Sequence, residues 1–141
     1  MPKFRTPDDL ADIRGKRVLL RVDLNVPTEG GKVTDTTRIE RVAPTIRELS
    51  EKGAKVVLLA HFGRPKGKVN PEFSLEQVCE AVANETGHPV GFVATDWTDV
   101  SAAQAAIDSA PAGSVLILEN TRFHPGEEEN DVELAQRMAS L

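Results

Sequence analysis

Four short apolar runs punctuate the chain, at Arg17 to Val22, Lys55 to Ala60, Pro89 to Ala94 and Ser114 to Leu118. Within them the apolar residues are contiguous, as in Val56-Val57-Leu58-Leu59-Ala60 and Val115-Leu116-Ile117-Leu118. Contiguity of this kind marks strands covered on both faces, so the pattern predicts a parallel sheet. Between the runs the polarity follows a helical period. Ile39, Val42, Ile46 and Leu49 share one face, and Gly53 after Lys52 supplies a stop. Pro44 interrupts that face, which predicts a continuous helix starting close to Pro44 and a separate turn holding Thr37 and Arg38. Ser74-Leu75-Glu76-Gln77 has the form of a capping box opening a helix that ends near Gly87. Asn130-Asp131-Val132-Glu133 opens a last helix with Leu134, Met138 and Leu141 on its apolar side, and Ser101 to Ala110 is a short Ala-rich helix.

Strands alternating with helices imply right-handed βαβ units, hence an α/β fold of the Rossmann-like three-layer α/β/α kind. The 141 residues, 40% of them hydrophobic, suffice for one core and read as one domain or part of one. Pro27 to Thr36 and Gly63 to Glu72 are rich in Gly, Pro and Lys and read as exposed, mobile loops.

Charge and composition narrow the function. A net charge of -5 and an aromatic content of 4% speak against nucleic-acid binding, which needs a basic face and stacking rings. No run reaches the roughly 18 apolar residues of a membrane span, and the amino terminus lacks the apolar stretch of a signal peptide, so a cytoplasmic location is expected. The one cysteine, Cys79, lies among Leu75, Val78 and Val82 and is expected to be a core thiol.

Ligands of open α/β sheets bind beyond the carboxyl ends of the strands. Here the first strand runs into Arg21-Val22-Asp23-Leu24-Asn25, the second into His61-Phe62-Gly63-Arg64, and the fourth into Glu119-Asn120-Thr121-Arg122. Arginines at three such ends of an acidic chain suggest a pocket for a small, multiply negative ligand, because guanidinium pairs bidentately with phosphate and carboxylate. Asp23 reads as an ionised hydrogen-bond acceptor and His61 as a ligand donor or a structural histidine. Asp23-x-Asn25 resembles the Asp-x-Asp of haloacid-dehalogenase-type phosphatases, but Asn25 removes their general acid. Gly63-Arg64-Pro65-Lys66-Gly67-Lys68 is too short between its glycines for a P-loop, no Gly-x-Gly-x-x-Gly occurs, and no zinc-like spacing exists. Three readings stay open on residues alone: a piece of an enzyme, a module that binds a phosphorylated acid without chemistry, and a phosphatase.

Arg21-Val22-Asp23-Leu24-Asn25-Val26-Pro27, Asp35-Thr36-Thr37-Arg38-Ile39, Ala43-Pro44-Thr45-Ile46, His61-Phe62-Gly63-Arg64-Pro65 and Leu118-Glu119-Asn120-Thr121-Arg122-Phe123 resemble, in order and interval, the signatures of the phosphoglycerate kinase family. Leu24 stands where that family usually has Phe, and Phe62 and Thr121 where it usually has Leu. The resemblance implies a glycolytic transferase that moves a phosphoryl group between 1,3-bisphosphoglycerate and ADP, giving 3-phosphoglycerate and ATP, with Mg on the nucleotide. It implies that Asp23 and Asn25 bind the ligand's hydroxyl and carboxylate end, and that Arg21, His61, Arg64 and Arg122 form a basic patch. Val22, Phe62 and Gly63 belong to the same binding segments, and Arg38 would be the catalytic residue. On this resemblance residues 1–141 are part of the N-terminal, 3-phosphoglycerate-binding domain of a monomeric enzyme, without its nucleotide domain. The chain alone is then expected to be inactive, to hold no cofactor, and to self-associate through an open sheet edge.

Overall fold

The computed structural model describes residues 12–30, 32–63, 73–93, 97–124 and 132–141. Four strands, β1 (Arg17–Arg21), β4 (Lys55–Leu59), β5 (Val90–Val93) and β6 (Val115–Leu118), form one parallel sheet in the order β1-β4-β6-β5. Among the described residues four helices flank it: α1 (Thr37–Glu51), α2 (Cys79–Thr86), α3 (Val100–Asp108) and α4 (Val132–Ala139). The chain steps from β1 to β4 and on to β5, then turns back to β6. Right-handed crossovers place helices on opposite faces when the direction of travel reverses, which separates α1 and α2 from α3.

Burial follows from that arrangement. Val56, Leu58, Ala60, Val115 and Ile117 pack with Ile39, Ile46, Leu49, Val78 and Val82 on the α1/α2 side. Val57, Leu59 and Leu118 pack with Trp97, Ala103, Ile107 and Leu141 on the other, with Leu134 and Met138 of α4 laid against them. Alternate residues of the same strand serve opposite cores, which is why β6 and, after Lys55, β4 are apolar throughout. Edge strand β1 is less covered, its Val18, Leu19 and Leu20 being only half-buried. Cys79 is also half-buried; its thiol is pushed up to about 12, by burial first and then by the Glu76 and Glu119 charges.

Two sequence expectations are corrected. Helix α1 does not start near Pro44 but runs unbroken from Thr37, with Pro44 in its interior. A proline there costs about 3 kcal/mol, whereas burying one large aliphatic side chain returns about 1.5–3 kcal/mol. Ile39 and Ala43, both buried, are covered only if the first turns are helical, and the Asp35 carboxylate accepts the Thr37 N–H at 2.9 Å. Glu40 and Pro44 are exposed, so water can serve the carbonyl that Pro44 leaves without a donor. The helix ends as expected: Gly53, at φ +86°, donates to the Ser50 carbonyl and Ala54 to that of Leu49.

The segment Pro27 to Thr36 is not wholly irregular either. It contains a two-stranded antiparallel ribbon, β2 (Thr28–Glu29) with β3 (Lys32–Val33). Gly30-Gly31 between these pairs is a hairpin signal, and Gly30 takes φ +59°. Of the second expected loop, Gly63 to Glu72, the first residue alone is described, and residues 64–72 lie outside the described residues.

Restoring the missing helical hydrogen bond by Pro44→Ala is expected to stabilise the chain by about 1–2 kcal/mol, the gain of a donor less the proline's restriction of the unfolded chain. A urea midpoint that stays the same or falls would show that the first turns of α1 are held by something other than helix geometry.

Candidate functional site

The rim at the carboxyl ends of the strands is where sequence and topology both place the polar residues. Adjacent strands β4 and β6 send their chains to opposite faces, toward α2 and α4 respectively. In open α/β sheets such a reversal opens a crevice between the diverging loops. The buried side chain of Asn120 fills it here. Its Oδ1 accepts the Phe62 N–H at 3.2 Å, and its Nδ2 donates to the carbonyls of Phe62 at 2.6 Å and Phe73 at 2.9 Å. The Thr121 N–H donates to the Ala60 carbonyl at 2.9 Å, tying the same two loops once more.

The exposed polar side chains of the rim lie toward β1 and β4. Beyond β1 the Asp23 carboxylate accepts the Asn25 N–H at 3.0 Å, a local turn that leaves Leu24 and Val26 in the core and Asp23 exposed. Asn25 in turn accepts the Gly63 N–H on its Oδ1 at 2.9 Å, so the loops after β1 and β4 are joined side by side. Gly63 lies at φ +63°, and a Cβ there would overlap the Phe73 ring.

Arg38 reaches into this junction from the first turn of α1. Its Nη1 donates to the Asn25 carbonyl at 2.7 Å and lies 3.4 Å from Asp23 Oδ1. Side-chain exposures of 51% for Arg38 and 55% for Asp23 mean that water screens the pair, so its worth lies in aiming the guanidinium rather than in stability. Arg38 and Asp23 thus meet, although 15 residues separate them in sequence.

Two turns at the rim, one at the start of α1 and one ahead of α2, engage the chain's own carboxylates. Glu119 Oε1 accepts the N–H groups of Leu75 and Asn120, each at 2.9 Å, and its Oε2 accepts the Ser74 hydroxyl at 2.8 Å. This alters the capping box expected at Ser74 to Gln77: Ser74 Oγ does accept the Glu76 N–H, but Gln77 donates to the Ser74 carbonyl and the distant Glu119 caps Leu75. A 3-10 turn, Leu75–Val78, then leads into α2. At α1 the Asp35 carboxylate accepts both the hydroxyl and the N–H of Thr37, and these bonds, the hydroxyl first, hold its pKa below the ordinary 3.8. With these N–H groups engaged, guanidinium and imidazole groups are the stronger candidates to meet an anion.

Of the residues singled out from sequence, Asp23, Asn25, Arg38 and Gly63 form one connected network. Arg21 is exposed at the end of β1 and His61 half-buried just after β4. Val22 and Phe62 turn their side chains to the core, and the N–H of Val22 goes to the Leu59 carbonyl at 3.0 Å, so only their backbones border the rim. Arg64 lies outside the described residues, as does the side chain of Arg122, whose backbone is in the 3-10 turn Thr121–Phe123. Sequence reasoning missed Asn120 and Glu119 as organisers. A polar pair directly following a strand of four apolar residues was the available signal.

A parallel sheet flanked by helices, with a half-engaged guanidinium beside a carboxylate and an amide at its rim, defines an open α/β domain. The chain belongs to the phosphoglycerate kinase family, whose model, described as "Phosphoglycerate kinase", matches residues 8–141. Proteins named phosphoglycerate kinase from Rhizobium leguminosarum and Agrobacterium fabrum are each 59% identical over 140 residues, which is 99% of this chain and 34% of theirs. The solved phosphoglycerate kinase of Coxiella burnetii superposes with a TM-score of 0.84 at 39% identity, over 99% of this chain and 33% of that one. That of Pyrococcus horikoshii gives 0.76 at 32% identity, over 97% and 34%. The chain thus spans about a third of the length of the relatives it matches. Family membership sets aside the phosphatase reading of Asp23-x-Asn25.

Two outcomes are expected from this geometry. Gly63→Ala must displace the Phe73 ring or abandon a left-handed backbone, and is expected to lower the melting temperature and broaden the Asn25 side-chain amide signals; an unchanged spectrum would contradict the crowding. Asp35→Ala is expected to lower the melting temperature at pH 7. Because the folded carboxyl titrates below 3.8, its contribution is complete above that value and lost as pH falls through the folded one. The gap between parent and variant should therefore close in acid, and a gap constant from neutral pH to well below 3.8 would refute the cap.

Proposed function

We propose that this chain is the glycerate-binding part of a phosphoglycerate kinase, the enzyme that transfers phosphoryl between 1,3-bisphosphoglycerate and ADP. The observation that carries the reading is Arg38, aimed by the Asn25 carbonyl and the Asp23 carboxylate while its side chain stays half exposed. Among the described residues Nη1 alone is engaged, which leaves Nη2 and Nε to a ligand.

In the forward reaction the bond between phosphorus and the C1 carboxyl oxygen breaks, and one to the terminal oxygen of ADP forms. The transferring group carries its charge on three equatorial oxygens, so catalysis is mostly positioning and electrostatics. Arg38 would stabilise that charge and the carboxylate left behind. Asp23 would accept the substrate hydroxyl and Asn25, through its Nδ2, would hold the carboxylate end. Arg21, His61, Arg64 and Arg122 would bind the phosphate that is not transferred. Nucleotide and its Mg would belong to the remainder of the enzyme, and among the described residues no group of three or more His, Cys, Asp or Glu is placed to hold a metal.

A cytoplasmic setting fits a glycolytic role, and no helix among the described residues is long and apolar enough to cross a membrane. The complete enzyme would be a monomer. By itself the chain would bind glycerate phosphates without turnover, and the half-covered strand β1 would favour self-association.

Calorimetric titration of the chain is expected to show binding of 3-phosphoglycerate and none of ATP. In an enzyme completed with the nucleotide domain, Arg38→Ala is expected to reduce kcat by about a hundredfold or more while glycerate binding changes little. Equal losses in both would remove the catalytic role from Arg38, and activity of the completed enzyme distinguishes a kinase from a module that only binds.

A further inference from the structure

We infer that Asn120 is a positioning residue for the glycerate site, acting through the His61-Phe62-Gly63 segment rather than on the ligand. The inference rests on the functional reading above and extends it to a residue that this reading does not use.

Asn120 has a fully buried side chain, and among the described residues three of its hydrogen bonds go to backbone. It takes the N–H and gives to the C=O of one residue, Phe62, which fixes both the position and the tilt of that peptide segment. Its third bond holds Phe73, whose ring faces Gly63. Gly63 is thereby set where its N–H meets Asn25 Oδ1 at 2.9 Å, and the Asn25 carbonyl receives Arg38 at 2.7 Å. The sequence of contacts runs from Asn120 through Phe62 and Gly63 to Asn25 and Arg38. Each link is a hydrogen bond or a covalent neighbour. Glu119 steadies the start of it by accepting the Asn120 N–H at 2.9 Å.

A residue that served stability alone would lower the melting temperature without changing affinity in the folded protein. Ser50 provides that comparison. It is buried, donates to the Gly113 carbonyl at 2.6 Å, and sits at the amino ends of β4 and β6, away from the rim. The test titrates 3-phosphoglycerate into the unaltered chain, Asn120→Ala, Asn120→Asp and Ser50→Ala, with folding checked by circular dichroism and the Gly63 amide followed by NMR. Asn120→Asp keeps the acceptor for Phe62 N–H and removes the two donated bonds, so it preserves the test where Asn120→Ala does not fold.

Expected are affinity about tenfold or more weaker in both Asn120 variants, a displaced Gly63 amide signal, and unchanged affinity and signal in Ser50→Ala. Affinity retained in either folded Asn120 variant, or lost equally in Ser50→Ala, overturns the positioning role and leaves the functional reading intact. If neither Asn120 variant folds, Asn120 is a stability residue and the inference fails. No binding by the unaltered chain overturns the functional reading itself, and this inference with it.

Discussion

Where β4 and β6 end, the chain departs to opposite faces of the sheet, and the backbone groups bared by that divergence must find partners out of reach of water. A buried carboxamide can both donate and accept, and Asn120 does so toward Phe62 and Phe73. Leaving such groups unpaired would cost about 1–3 kcal/mol each, so the amide is a condition for closing this end of the sheet. An apolar side chain of the same size would fill the crevice and satisfy none of them. The rest of the rim, from Gly63 to Asn25 and Arg38, is laid out from that fixed point.

Much of the fold is legible in the sequence because contiguous apolar runs state the strands, and the strands state the layers. Boundaries at β1, β4, β5 and β6 agree to within a residue with the runs that predict them. Pro44 misleads because propensity is local whereas the burial of Ile39 and Ala43 is decided by the sheet. At the rim, Asp23, Asn25, Arg38 and Gly63 announce themselves as polar or small residues at strand ends and early helix positions. Asn120 and Glu119 do not, because their partners lie 58, 47 and 44 residues away and depend on which strands become neighbours. Residue type at one position cannot tell a ligand-binding amide from a structural one; the register of the sheet can.

The acidic balance of the chain and the anionic ligand proposed for it are compatible for a local reason. Asp35 and Glu119 spend their charge on helix N-termini and neighbouring hydroxyls. Carboxylates bound in this way complete the helices and compete less with the guanidinium groups than free ones would. The same carboxylates occupy the N–H groups of Thr37 and Leu75, and on the proposed function arginine would carry most of the ligand's charge instead. Arginine supplies several aimed donors and a fixed charge, and both suit a ligand with more than one negative group.

One carboxylate near the site is different. Asp23 is exposed and faces Arg38 at 3.4 Å, where a tight pair would quench the cation that the proposed catalysis would need. Its first hydrogen bond, however, comes from the Asn25 N–H, and the shorter of the two Arg38 contacts is to the neutral Asn25 carbonyl. Screening by water at half exposure keeps the ion pair weak. The guanidinium is therefore directed without being neutralised: backbone geometry sets where it points, and on the proposed function an incoming phosphoryl group would compete with a screened contact rather than with a buried salt bridge. On the proposed function that division, a neutral carbonyl for aim and a loose carboxylate for the substrate hydroxyl, would let Asp23 and Arg38 serve two parts of one ligand from adjacent positions.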